Sequence, residues 1–162
     1  MLRHIRRTYL QYWDYNLYFL KKGVVKMVKL IMGLKGSGKT KQLIELVHKA
    51  VDDEHGDIVF IERSSKLTYD IPHKVRLIDA SQYGFDGYDF LKGFISGLHS
   101  ANYDITHIFI DSVLQIIKKD VDSDAEDFFD WCEQFCKKEH AKFTITISED
   151  ISKATERIKK YF

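Results

Sequence analysis

Eight consecutive residues, Gly33-Leu-Lys-Gly-Ser-Gly-Lys39-Thr40, carry the strongest chemical signal in the chain. They match G-x-x-x-x-G-K-[ST] in full, and each element has a physical task. Glycines at 33, 36 and 38 let the chain turn tightly and aim successive backbone N–H groups inward. A helix opening directly behind them adds the positive end of its dipole, so a phosphate meets donors and a favourable potential together. Lys39 supplies a compact cation for terminal phosphates. The Thr40 hydroxyl is the hard oxygen ligand that Mg²⁺ prefers. The expected phosphate-binding set is Gly33, Leu34, Lys35, Gly36, Ser37, Gly38, Lys39, Thr40 and Lys41.

A metal held by Thr40 needs a carboxylate partner. Three apolar runs end on an acid: Ile58–Ile61 on Glu62, Val75–Ile78 on Asp79, and Ile105–Ile110 on Asp111. In open parallel sheets ligands sit beyond the carboxyl ends of the strands, so all three acids are candidates to line one crevice. Ile108-Phe-Ile-Asp111 is the cleanest such run, whereas Arg76 interrupts the run onto Asp79. Asp111 is therefore the expected metal acid, acting through water, with Asp79 as the fallback and Ser112 supporting the same water shell. Glu62 is a candidate to prepare an attacking water; its alternative is a solvated strand-end acid.

These groups need a scaffold. Val28–Met32 reads as the strand before the loop. Lys41–Val51 reads as the helix after it, with Leu43, Ile44, Val47, Ala50 and Val51 on one face. Helical spacing recurs over Asp86–Ser100, and Gly93 and Gly97, four apart there, predict close packing on a neighbour. Ser123-Asp-Ala-Glu126 reads as a capping box opening a helix with Phe128, Phe129, Cys132 and Cys136 on one side. Phe143–Ile147 is a fifth strand, ending on Ser148, and a last helix is expected over Ser152–Lys160. The strand runs are apolar rather than alternating, the pattern of a parallel sheet covered on both faces. The expected fold is α/β: a single three-layer domain with a mainly parallel sheet of about five strands and helices on both faces.

Over Gly33–Thr40 the chain resembles the P-loop NTPase superfamily at its Walker A motif, and Ile108–Ser112 is similar to a Walker B strand. The resemblance implies ATP and Mg²⁺ as cofactors and catalytic roles for Lys39 and Asp111. No residue points to the base; adenine is taken as the commonest one. Many ATPases of this layout carry a Glu after the Walker B Asp, where this chain has Ser112, so a slow Mg²⁺-dependent ATPase is expected. Ser148 sits where such ATPases often place a polar sensor of the γ-phosphate. The layout also resembles short bacterial ATP-binding proteins of Gram-positive anaerobes, sometimes labelled after twitching-motility ATPases, though this body lacks the extra domain and length of those motors. One alternative is a small nucleoside or nucleotide kinase similar to the thymidine kinase branch. Against it stand Asp111-Ser112 in place of an Asp-Glu pair, the lack of a Cys-x-x-Cys pair, and only three arginines after residue 26: Arg63, Arg76 and Arg157. The other alternative is a nucleotide-dependent switch that works with a protein partner, with loop Arg63–His73 as the moving segment.

Composition bounds the rest. The chain has 162 residues, 44% hydrophobic and 30% charged, which suits one ordinary domain with a real core. Two cysteines make no disulfide framework, and a reducing, cytoplasmic setting is expected. No run of about 18 apolar residues suggests a membrane-spanning helix. Residues 1–26 carry six Lys/Arg against Asp14 alone, while the remainder holds 19 basic and 23 acidic residues, so the body gives no strong nucleic-acid signal. Residues 1–26 also hold six aromatics and no clean period. They are read as an extension ahead of a true start at Met27, with an extra packed helix or a membrane-surface segment as alternatives. Residues 27–162 form the nucleotide-binding domain on this reading. Cys132, Cys136 and His140 share a helix side but are read as packing, since three ligands are too few. Asp120, Asp122 and Asp124 fail as a calcium loop because Ala125 and Trp131 stand where Gly and Glu are needed. His107, inside a strand, is read as a satisfied structural residue.

Overall fold

A computed structural model describes residues 26–162. Apart from Lys26, the segment read above as an N-terminal extension lies outside the described residues. Five strands, β1 (Val28–Gly33), β2 (Asp57–Glu62), β3 (Val75–Asp79), β4 (Ile105–Ile110) and β5 (Lys142–Ser148), form one sheet in the order β1-β5-β4-β2-β3. Every pairing is parallel. The helices are α1 (Lys39–Asp53), α2 (Gly87–Ala101), the short α3 (Val113–Ile117), α4 (Ser123–Glu139) and α5 (Glu156–Lys159).

The sheet has a core on each face. On one, Leu43, Val47 and Ala50 of α1 pack on Ile58, Phe60, Val75 and Phe109. On the other, α2, α3 and α4 bury Leu91, Ile95, Ile117, Phe128 and Phe129 against Leu30, Ile108, Phe143 and Ile145. The result is a three-layer α/β domain, and the long apolar runs of the sequence are its doubly covered strands. Among the described residues no helix is long and apolar enough to cross a membrane.

Three local expectations are corrected. Asp122 rather than Ser123 caps α4, its Oδ1 accepting from the Ala125 N–H at 3.1 Å. Both are good caps, and the longer Asp one position earlier takes the role. Glu126, released from a capping box, accepts from Thr155 and Arg157 instead. The expected helix over Ser152–Lys160 divides into a 3₁₀ turn at Ile151–Lys153 and α5, because Ala154 and Thr155 are extended between them. The divided tail buries Ile158 and Tyr161 and lets the Tyr161 carbonyl accept from Leu30 N at 2.8 Å, covering the outer edge of β1. Gly93 and Gly97 face outward, and a Cβ at either would meet nothing within 4 Å, so no close packing explains them.

Candidate functional site

Parallel register brings five strand ends to one edge. Gly33 pairs with Ser148, and Glu62 pairs with Asp79. Ile110 pairs with both Ile145 and Ile61, so Asp111 follows directly between the ends of β5 and β2.

The loop leaves β1 at Gly33, where an added Cβ would meet Ser37 Oγ at 2.8 Å, and stays exposed through Gly38. Gly36 and Gly38 have φ of 85° and 83°, left-handed values that glycine adopts without strain. No side chain caps α1 at Gly38, and its first turn holds no acid. The amides at this end are therefore open to an external anion, with the helix dipole behind them. Leu34, Lys35 and Lys41 are exposed around the loop.

Lys39 is only 7% exposed, and its Nζ crosses the loop to donate to the Leu34 carbonyl at 2.9 Å and to Ser37 Oγ at 3.3 Å. Burial lowers its pKa, partly offset by the Asp111 carboxylate. The Thr40 hydroxyl lies 3.1 and 3.2 Å from the two carboxylate oxygens of Asp111, joining the loop to a strand end 71 positions away. Asp111 is held further from behind. Its N–H donates to the Ile61 carbonyl at 2.9 Å, and Thr146 Oγ1 donates to Asp111 Oδ1 at 2.7 Å. The next residue, Ser112, is left-handed at φ 57° and donates its N–H to the same Thr146 oxygen at 2.6 Å.

The sequence reading did not identify Thr146. A signal was present: Thr144 and Thr146 alternate with Phe143, Ile145 and Ile147, so one face of an otherwise apolar strand is polar. Both threonines are buried.

Glu62 is 3% exposed at the end of β2, the strand beside β4, and accepts from the Leu67 N–H at 3.2 Å. Burial raises its pKa; Leu67 pulls the other way, while Asp79 and Asp111 add to the rise. A solvated strand-end acid it is not. Asp79 stands one strand further out, where it accepts from the Ser81 N–H at 2.9 Å and Ser81 Oγ at 2.6 Å, capping the turn at Ala80–Gln82. Those bonds, chiefly from Ser81, lower its pKa. Ser148 ends β5 beside the loop, partly exposed.

The groups that meet are thus Lys39, Thr40 and Asp111, with Thr146 behind and Glu62 on the next strand. Thr40 and Asp111 offer hard oxygens and no nitrogen or sulfur, which suits Mg²⁺. Among the described residues no three His, Cys, Asp or Glu side chains gather to hold a metal, so a cation here would draw other ligands from water or a bound phosphate. Cys132 and Cys136 are buried, and burial pushes both thiols up, Cys136 to about 12. They pack as neutral thiols. His107 bonds to Glu54 at 2.8 Å and Thr144 at 2.9 Å, as a structural residue would.

No family model matches the chain, and no curated protein matches it. Among solved structures it is similar to the flagellar accessory protein FlaH from Methanocaldococcus jannaschii, with a TM-score of 0.53 and 16% identity over 85% of this chain and 67% of that one. The likeness concerns the fold, a three-layer α/β domain around an all-parallel five-stranded sheet.

Proposed function

We propose that this chain binds a nucleoside triphosphate with Mg²⁺ at Gly33–Thr40 and hydrolyses it slowly. One observation carries the reading: an uncapped helix start behind left-handed glycines, whose Thr40 is hydrogen-bonded to the strand-end acid Asp111. The phosphates would lie along the loop amides, with Lys39 turning from the Leu34 carbonyl to the terminal phosphates. Thr40 and Asp111 would hold Mg²⁺, which supplies charge neutralisation at the phosphate oxygens. ATP is the expected nucleotide by its abundance.

The slow rate follows from Ser112. A serine in the position after Asp111 cannot take a proton from water as a carboxylate does. Glu62, buried and one strand away, is the carboxylate in reach of that role. Its raised pKa gives it basicity but keeps it protonated further up the pH scale. Turnover should therefore fall on the acid side with a midpoint above the ordinary glutamate value, and Glu62→Gln should remove that limb. A limb at the ordinary value, or one that survives the substitution, would take Glu62 out of the mechanism.

The acids differ in their surroundings, and so should their variants. Asp111→Ala is expected to weaken Mg²⁺-dependent nucleotide affinity about tenfold. Asp79→Ala, which disturbs only a turn cap, should change it less than about twofold. The reverse order, read by titration with and without Mg²⁺, would move the metal to Asp79.

Titration with ATP, GTP and a nucleoside panel, followed by phosphate-release assays, tests the whole reading. Multiple turnovers without an acceptor support the ATPase. Release only with a nucleoside, yielding a phosphorylated product, would make the chain a kinase. Tight binding without turnover would make it a switch awaiting a protein partner. Absence of binding to any Mg²⁺-triphosphate would end the proposal.

A further inference from the structure

We infer that Thr146 is a positioning residue for the cation: its one hydroxyl sets the orientation of Asp111 and the turn at Ser112, and so the Mg²⁺ affinity of the site. The inference rests on the nucleotide-binding reading above and adds a residue that no motif in the sequence marks.

Thr146 is wholly buried on β5, between β1, which carries the loop, and β4, which carries Asp111. Its hydroxyl is used in both directions. The proton goes to Asp111 Oδ1 at 2.7 Å, and a lone pair receives the Ser112 N–H at 2.6 Å. The Thr40 hydroxyl also reaches the two Asp111 oxygens, at 3.1 and 3.2 Å. The carboxylate is thus held between two threonines, one on the phosphate loop and one on the strand behind.

Ser112 makes the arrangement stricter. Its φ of 57° is unusual for a residue with a side chain, and α3 follows at once with Val113 and Ile117 wholly buried. The Ser112 N–H bond to Thr146 and that burial keep the backbone in this turn. Without the hydroxyl, the Ser112 amide and a carboxylate oxygen each lose a partner, and the carboxylate is freer to rotate. A site that binds Mg²⁺ through very few protein oxygens depends strongly on those oxygens being fixed beforehand.

Packing alone does not account for the residue. Valine has the same shape and would suit a buried strand between Ile145 and Ile147. Threonine therefore stands here for its hydroxyl.

The test uses the full chain with ATP as the probe and calorimetry across a Mg²⁺ series. Thr146→Val should raise the Mg²⁺ concentration for half-maximal enhancement of nucleotide affinity about tenfold. Affinity for nucleotide without Mg²⁺ should stay within about twofold, because the loop amides and Lys39 are untouched. Thr146→Ser, which keeps the hydroxyl, should return the Mg²⁺ midpoint to within about threefold of wild type. In nucleotide-free protein the Ser112 amide should exchange with solvent faster in the valine variant and near the wild-type rate in the serine variant. Thr146→Ala, measured the same way, replaces the valine variant if melting shows it unfolded. A wild-type Mg²⁺ midpoint in the folded apolar variant would overturn the inference, as would equal losses with and without Mg²⁺. Wild-type protein that binds no nucleotide would instead sink the underlying reading, a result distinct from either.

Discussion

Lys39→Ala is expected to weaken nucleoside triphosphate binding about 100-fold, equivalent to about 2.7 kcal/mol, while leaving the fold intact. A charge-assisted hydrogen bond to phosphate is worth about 1.5–3 kcal/mol, and this ammonium is the cation of the phosphate loop that is already drawn out of water. The loss should be larger for a triphosphate than for the diphosphate, because a side chain reaching past the loop serves the terminal phosphates most. Stability should hold for the opposite reason. Burial already disfavours the charged form of Lys39, and what the variant gives up is its pair of bonds to Leu34 and Ser37, so the net change should stay within about 1 kcal/mol. Lys39→Arg should not rescue binding, since a planar fork cannot replace a compact ammonium in a loop this tight. Calorimetry with both nucleotides, beside a thermal melt, checks all of this. Unchanged triphosphate affinity in folded Lys39→Ala would place the phosphates elsewhere.

The loop at Gly33–Thr40 was readable because the motif is local: eight neighbouring residues contain the glycines, the lysine and the hydroxyl. Asp111 was readable at one remove, as an acid closing an apolar strand. The parallel, doubly covered sheet followed from apolar runs that do not alternate, and all five strands are indeed parallel. What sequence could not supply was strand order. Thr146 reaches Asp111 because β5 inserts between β1 and β4, and that neighbourhood is set by the pairing of Ile145 with Ile110 and of Thr146 with Ile31. The burial of Glu62 has the same origin, since a strand-end acid is solvated at an edge and enclosed when β4 lies on one side and β3 on the other. The misplaced α4 cap and the divided C-terminal helix are errors of another kind. There, several polar residues compete for one role within a few positions, and contacts made elsewhere by Glu126 and Tyr161 decide between them.

Glu54→Gln is expected to cost about 3 kcal/mol of stability at neutral pH. Glu54 ends α1 at the edge of the sheet away from the phosphate loop, with its side chain 6% exposed. Its carboxylate accepts from Lys142 Nζ at 2.6 Å, His107 Nδ1 at 2.8 Å and Thr106 Oγ1 at 2.9 Å. Burial pushes this carboxyl up, but the His107 and Lys142 contacts outweigh it and hold it at about 2. The imidazole is itself lowered by burial against the pull of Glu54, so it donates as a neutral ring while Lys142 brings the positive charge. A glutamine would meet the ammonium with a neutral amide and lose the charge on which all three donors converge; breaking a buried pair costs about 3–5 kcal/mol. The pH dependence has a definite sign. A folded pKa of about 2, against an ordinary 4.5, gives stability that is fully present above pH 4.5 and is lost as pH falls toward 2. The shift corresponds to about 3 kcal/mol. His107, also depressed on folding, begins its own loss higher, as pH falls below its ordinary 6.5. Urea unfolding across pH should therefore show wild type losing stability in two stages on acidification, the lower one shallower in Glu54→Gln but not absent, because Asp130 and Glu133, held at about 2 chiefly by Arg157 and Lys137, also titrate there. Wild-type stability in the variant at pH 7, or an unchanged acid slope, would refute the clamp. Because α1 is tied to β4 through Thr40 at one end and Glu54 at the other, loosening the far end should also relax the position of its first turn. Nucleotide affinity in Glu54→Gln should then fall by a factor far smaller than in Lys39→Ala, since the amides remain and only their fixed placement is lost.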